Sequence, residues 1–311
     1  MIAYGKTALG KQRWYCKYCK KTETRKRKDI VLRHREKLFK EWLLKMRPLF
    51  EIAMERGLSR ESLSRRFSYF FKHPPLVPLQ VKKDELLILD ATQIGGRKAV
   101  VYIAATKERV RSWMFAKTEN YYGWYSFIDN YLIQADYLVI DGKKGLYKAI
   151  EQLWPETIVQ RCIAHIVRNA IQNLGRKPKT LAAMELRKLI VFELVKVNTE
   201  TAKEKWLEDF KTWEIKYHDF LKERTYSSDP SSKRRWWYSH KRLRAVRSHI
   251  NNALPYMFNY LEYPIIPRTS NHLEGGVNTR LKELLTRHRG LSLESKLALC
   301  SYYLDDKRDK R

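Results

Sequence analysis

The chain has 311 residues, enough for two or three domains, and 44% of them are hydrophobic, enough to fill a sizeable core. It carries 63 Lys and Arg against 34 Asp and Glu, a formal net charge of +29, and self-repulsion on that scale points to a polyanionic partner. No apolar run approaches the ~18 residues of a membrane span, and Met1 to Trp14 holds no apolar signal core. A membrane-spanning or secreted protein is thereby excluded, and a cytoplasmic, nucleoid-associated one is expected. Four cysteines in such a chain read as thiols or metal ligands, not as a disulfide framework.

The charge is uneven. Residues 1–83 hold 23 Lys and Arg against 7 Asp and Glu, a net of +16, the asymmetry of an appended nucleic-acid-binding segment. Residues 1–28 are basic and lack a helical period. They end in the charge run Arg25 to Lys28 and contain Cys16-Lys17-Tyr18-Cys19, half of a zinc ribbon, in which a closed site needs four ligands. Gly5 to Gln12 is close to a phosphate-binding loop, but Gln12 stands where a hydroxyl should hold magnesium and no strand precedes it, so no nucleotide site is assigned. From 29 to 73, Leu38, Trp42, Leu43, Met46, Leu49 and Phe50 recur at helical spacing, with Pro48 expected to divide the stretch. Gly57 breaks it, and Ser59 caps a second helix carrying Arg60, Arg65 and Arg66. That outline predicts a helix-turn-helix whose arginines contact DNA. The prolines of 74–78 open a linker, residues 74–84.

Residues 85–174 read as an α/β core. Glu85 to Asp90, Ala99 to Ala105, Val110 to Phe115, Tyr137 to Asp141 and Ile158-Val159 are strand-like, with helices over 121–132 and 144–153. Three strands without room for helices, followed by alternation, predict a mixed sheet with helices on its faces. Residues 175–262 read as an all-helical insertion, and 263–311 as a final helical pair. Asp90 and Asp141 are each expected at the C-terminal end of a buried strand, where such sheets collect their sites and where a carboxylate is held rigidly. A site for two hard cations needs a third acid, and Glu274 is the best candidate. Ser270 would cap a helix that places Asn271, Glu274 and Asn278 on one face. Mg²⁺, or Mn²⁺, suits such oxygen donors.

At these residues the sequence resembles the bacterial Mutator-type insertion-sequence transposases. The resemblance spans about residues 1–304. It rests on Leu89-Asp90-Ala91-Thr92, on Val139-Ile140-Asp141-Gly142, on Gln160 to Asn169 (QRCIAHIVRN), and on the block from Arg268 to Ser292 with His288-Arg289-Gly290-Leu291. It implies an RNase H-like fold, an Asp90–Asp141–Glu274 triad, and two Mg²⁺ or Mn²⁺ ions. The implied reaction frees a 3′-hydroxyl at the element end and joins it to target DNA without a covalent enzyme intermediate or a nucleotide cofactor. The implied partners are double-stranded DNA, both terminal inverted repeats and target, with the protein a homodimer or larger on DNA. It also implies a zinc ribbon whose first C-x-x-C would precede Met1, so the chain is expected to start late or to carry a decayed ribbon, with Cys16 and Cys19 as residual zinc ligands.

Other constellations are auxiliary. Cys162 and His165 form a C-x-x-H pair expected to pack the site helix or position DNA rather than bind metal, with Arg168 and Asn169 beside it. Arg234, Arg235, Trp236, Trp237, Lys241, Arg242 and Arg244 interleave cations and rings, a pattern for phosphate contact and base stacking. Arg280 and Arg289 follow Glu274 and are expected near the cut strands. A non-catalytic DNA-binding regulator and a structure-selective nuclease of the same fold stand as alternatives.

Overall fold

The structure is a computed structural model that describes residues 1–24, 28–229, 231 and 233–308, with Lys28, His272 and Glu274 described in their backbone alone. Arg25, Lys26 and Arg27 of the basic run lie outside the described residues. The chain divides into two compact units, Met1–Pro75 with Thr286–Tyr303, and Leu76–Leu285 with Leu304–Arg311.

The first unit begins with a three-stranded antiparallel sheet of β1 (Ile2–Lys6), β2 (Gln12–Tyr15) and β3 (Thr22–Thr24). The strands are too short and too exposed to leave an apolar alternation in the sequence; Tyr4 against Tyr15 is one of their few ring contacts. Three helices follow: α1 (Lys28–Leu44), α2 (Leu49–Glu55) and α3 (Arg60–Lys72). Pro48 is the N-cap of α2 and Met46 adopts a positive φ of 53°, so the predicted division falls between α1 and α2. The turn into α3 uses Gly57 at φ 59°, and the Ser59 hydroxyl accepts from the Ser62 amide at 3.1 Å. Leu43, Ile52, Leu63, Phe67 and Phe70 are buried around Phe39, whose ring also meets Tyr302.

The second unit is built on a five-stranded mixed sheet with helices, consistent with an RNase H-like fold. Its strands are β4 (Leu86–Ile94), β5 (Ala99–Ala105), β6 (Val110–Ala116), β7 (Tyr137–Ile140) and β8 (Ile158–Arg161), in the order β6-β5-β4-β7-β8. The first three pair antiparallel, and β7 and β8 run parallel to β4. Helices α4 (Tyr121–Tyr131) and α5 (Lys144–Leu153) cover one face, where Trp124, Phe127, Ile128, Leu146 and Ile150 meet Leu87, Leu89, Tyr102 and Leu138. After β8 comes α6 (Ile163–Leu174).

The insertion then runs through α7 (Leu181–Lys188), a π-turn and a 3₁₀ turn to Lys196, and α8 (Glu200–Lys216). Trp206, Phe210 and Trp213 of α8 are buried, and the two indoles donate to the carbonyls of Leu189 and Ala182, each at 2.9 Å. The insertion is not all-helical, as the sequence led us to expect. Strands β9 (Arg224–Tyr226) and β10 (Trp236–Tyr238) form an antiparallel hairpin before α9 (Lys241–Ala253). Three-residue strands flanking a polar loop give no period to detect. The short α10 (Asn259–Glu262) returns to the sheet, where the buried Gln160 amide donates to the Met257 carbonyl at 2.9 Å and accepts from the Tyr260 amide at 3.1 Å. The chain ends with α11 (Asn271–Leu273), a π-turn over Glu274–Asn278, α12 (Thr279–Arg287) and α13 (Leu293–Asp306). Among the described residues no helix is long and apolar enough to cross a membrane.

Candidate active site

The last parallel pair between β4 and β7 is Leu89 with Ile140. Asp90 and Asp141 each come next, so the register that buries their neighbours sets the two carboxylates side by side. Asp90 does not end its strand as expected. β4 continues to Ile94, held by β5 alone, and Asp90 sits where β7 departs. It is only 7% exposed. Its Oδ1 accepts from the Ala91 amide at 2.8 Å and its Oδ2 from Asn278 Nδ2 at 2.6 Å. Asp141 is half-buried, and its Oδ1 accepts from the Lys143 amide at 3.1 Å.

His165 joins them. It lies in the first turn of α6, and one donor atom from each of Asp90, Asp141 and His165 falls within 4.8 Å of the others. The sequence gives His165 a role in packing the site helix or positioning DNA, and its ring stands among the carboxylates. Cys162, its C-x-x-H partner, is the N-cap of α6 and fully buried. Its sulfur accepts from the Ser270 amide and hydroxyl, both at 3.2 Å. Burial alone would push that thiol up, but the His165 ring and the Ser270 donors outweigh it and leave the thiol below its ordinary value. Ser270 thus ties the segment before α11 to the start of α6.

The cluster opens into a cleft of about 970 Å³, lined also by Lys143, Arg168, Asn169, His249, Asn271, Asn278 and Lys282. The Lys143 ammonium pairs with Glu119. Burial pulls its affinity for a proton down, but Glu119 and the fields of Asp141 and Asp90 more than restore it, so it stays a cation. The backbone of Glu274 opens the π-turn between Leu273 and Gly275, with Asn271 and Gly275 both on the cleft wall. Its side chain lies outside the described residues. Asn278 closes the same turn and reaches Asp90.

Two residues of this neighbourhood are given no role by the sequence. Arg161 ends β8 at 3% exposure and donates to the Asp141 carbonyl at 3.1 Å. His249, from α9, presents Nε2 to the same guanidinium at 3.5 Å. Burial first, and Arg161 second, push the His249 imidazole down to about 4, so it is neutral at neutral pH.

Residues 81–227 match the family described as "Transposase, Mutator family". Over that segment, just under half of the chain, the core is similar to Mutator-family transposases. Over 168 residues the chain is 27% identical to the transposase for insertion sequence element IS905 of Lactococcus lactis, covering 51% of this chain and 39% of that protein. It is 39% identical over 49 residues to the transposase for insertion sequence element ISRM3 of Rhizobium meliloti, 16% of this chain and 12% of that protein. It is 43% identical over 49 residues to a probable insertion-sequence transposase of Corynebacterium diphtheriae, 15% and 14% of the two chains. The matched segments therefore span well under half of each relative.

The remaining predicted contacts are not among the residues that line this cleft. Arg60 and Arg65 are exposed on α3 and Arg66 is half-buried. Arg234, Arg235, Lys241 and Arg242 are exposed around the hairpin and the start of α9. Trp236 is partly exposed under the Arg224 guanidinium, 4.0 Å from its ring centre, and Trp237 is half-buried. Arg244 is committed internally: it lies 3.6 Å over the Tyr238 ring and donates to the Leu221 carbonyl at 2.8 Å. Arg280 pairs with Glu283 at 2.8 Å, and Arg289 is exposed in the first unit. Cys16 and Cys19 bracket the turn between β2 and β3. The amides of Cys19 and Tyr18 hold the Cys16 thiol below its ordinary value. Among the described residues no third His, Cys, Asp or Glu completes a cluster with them.

Proposed function

We propose that the protein is a DNA transposase that cuts at the ends of its element and joins the freed 3′-hydroxyl to target DNA. The observation that carries this is the convergence of Asp90, Asp141 and His165 on one open cleft of a Mutator-family core. The donor set fits a divalent metal: two carboxylates and an imidazole, one carboxylate already oriented by a buried amide. Asp90, Asp141 and Glu274 would hold two Mg²⁺ or Mn²⁺ ions, with His165 beside them. Bound there, such ions supply activation of an oxygen nucleophile and charge stabilisation for phosphoryl transfer.

The chain's own residues do the rest. Asn278 fixes Asp90 in one rotamer by donating to Oδ2. The Lys143 amide does the same for Asp141. Arg168 and Lys282 set cations on the cleft wall, where they hold phosphates of the bound strand. The helix-turn-helix arginines Arg60, Arg65 and Arg66, and the hairpin cations Arg234, Arg235, Lys241 and Arg242, grip duplex DNA. A dimer or larger assembly brings two element ends together. The test is strand cleavage on duplexes bearing the inverted repeats that flank the gene, with Mg²⁺. Asp90→Asn and Asp141→Asn are expected to abolish cutting while leaving the gel-shift affinity within about twofold. If both variants cut like the wild type, the carboxylate assignment is wrong; if the wild type binds the ends and never cuts, the protein is a regulator.

A further inference from the structure

Arg161 and Gly142 interlock. Gly142 has a φ of 83°, and a Cβ built on it would stand 1.6 Å from Arg161 Cζ, so the guanidinium occupies the volume that any side chain at 142 would need. The cation is buried, and its Nε meets no hydrogen-bond partner among the described residues. What it does contact is informative: the carbonyl of Asp141 on one side and Nε2 of His249 on the other. A guanidinium can only donate, so the imidazole faces it through the Nε2 lone pair and carries its proton on Nδ1. A cation taken this far from water is retained only where its contacts matter, because burial without partners is strongly unfavourable.

We propose that Arg161 and His249 are a positioning pair that fixes the Asp141–Lys143 loop, and that through His249 the α9 helix of the insertion sets the geometry of the catalytic centre. The chain of contact runs from α9 through a neutral imidazole and a buried guanidinium to the backbone of a metal-binding aspartate. Arg161 does not line the cleft, and His249, which does, is assigned a positioning role through Arg161. This gives the insertion a role in the site besides carrying DNA contacts, and it rests on the metal-site reading of Asp141 given above.

Charge and position make opposite demands, which makes the proposal testable. A cation beside a metal site repels the metal, so removing it as a mere charge would raise metal affinity. Removing a positioning group lowers it, typically by about tenfold or more. The full-length protein is titrated with Mn²⁺ and the free ion is read by electron paramagnetic resonance. Hydrogen exchange of a peptide spanning residues 139–147 is followed without metal, because the Lys143 amide reports on its bond to Asp141. Arg161→Gln and His249→Phe are expected to weaken Mn²⁺ binding about tenfold and to lose exchange protection in that peptide. His249→Gln, which keeps an acceptor, is expected to recover most of both. Mn²⁺ affinity that is unchanged or raised, with exchange unchanged in His249→Phe, would overturn the pair even if Arg161→Gln fails to fold. Should the wild type bind no Mn²⁺, or Asp141→Asn bind it equally well, the metal reading fails separately, and the exchange data still decide whether the pair holds the loop.

Discussion

Replacing Gly142 with alanine probes the joint on which the Asp141 loop turns. Two effects add. An L-residue at a φ of 83° costs about 1–2 kcal/mol from the left-handed backbone alone. The new methyl then overlaps Arg161 Cζ at 1.6 Å, inside any tolerable contact, so the guanidinium must leave its seat. Its bond to the Asp141 carbonyl goes with it, a charged hydrogen bond worth about 1.5–3 kcal/mol. Together they predict a loss of roughly 2.5–5 kcal/mol. Gly96 supplies the control: its φ is 69°, and nothing stands within 4 Å of a Cβ built there. Its neighbour Arg97 already adopts φ 72° with a full side chain. Gly96→Ala should therefore cost only the backbone part, about 1–2 kcal/mol. In thermal melts the two variants should differ by at least roughly 3 °C, at about 2–4 °C per kcal/mol for a unit of this size. Equal shifts would refute the interlock of Gly142 with Arg161.

Three other outcomes are expected. Ser59→Ala removes the hydroxyl that accepts from Ser62 and should cost α3 about 1 kcal/mol, read as a lower urea midpoint; no change would remove the cap from the account. Asn278→Ala takes the amide from a buried carboxylate and should slow metal-dependent cleavage by roughly 10- to 100-fold with DNA affinity retained, whereas a rate within twofold of wild type would show that Asp90 needs no such anchor. The third concerns pH. The folded His249 value of about 4 lies below its ordinary 6.5, so the unfolded chain takes up a proton that the folded chain refuses. Stability from this residue is whole above pH 6.5 and declines as pH falls from there towards 4. Replacing the imidazole in His249→Gln should shrink the fall in melting temperature between pH 7 and pH 4.5, and an undiminished fall would place the proton uptake elsewhere.

The sheet was legible because its strands are buried on both faces. All seven residues of β5 are buried, and such a run is visible as β structure even without alternation. The place of Asp90 was misjudged for a related reason. The apolar run stops at the aspartate, but Ala91 to Ile94 stay in the strand because β5 still supplies their hydrogen bonds. An acid inside a strand looks in sequence like an acid after one. What marks the site in space is the end of β7, a property of a neighbour encoded some fifty residues away. Helix α3 was legible from Ser59 and Gly57, whose roles are local. The hairpin of β9 and β10 was not, since its pairing joins residues across a polar loop.

The neighbourhood of the two aspartates divides along the same line. Asp141, Gly142, Cys162 and His165 lie close enough in sequence for spacing to group them. Arg161 sits in the Gln160 to Asn169 motif and still has no role legible in it, because a buried arginine is indistinguishable in sequence from the many solvated ones in a chain of net charge +29. His249 is harder still: it falls in α9, whose buried residues are Leu243, Val246, Ile250 and Ala253, and nothing in that helical period marks the histidine. Only the packing of α9 against α6 brings it to the cleft. A helical insertion between the second aspartate and Glu274 can therefore be recognised by its length, while its contribution to the site depends on which face it lays against the sheet. That face is fixed by the return of α10 to β8 through Gln160 and Asn259. A buried polar residue on a strand would ordinarily weaken a core. Here Gln160 satisfies two backbone groups of the insertion and holds in register the helix that carries His249.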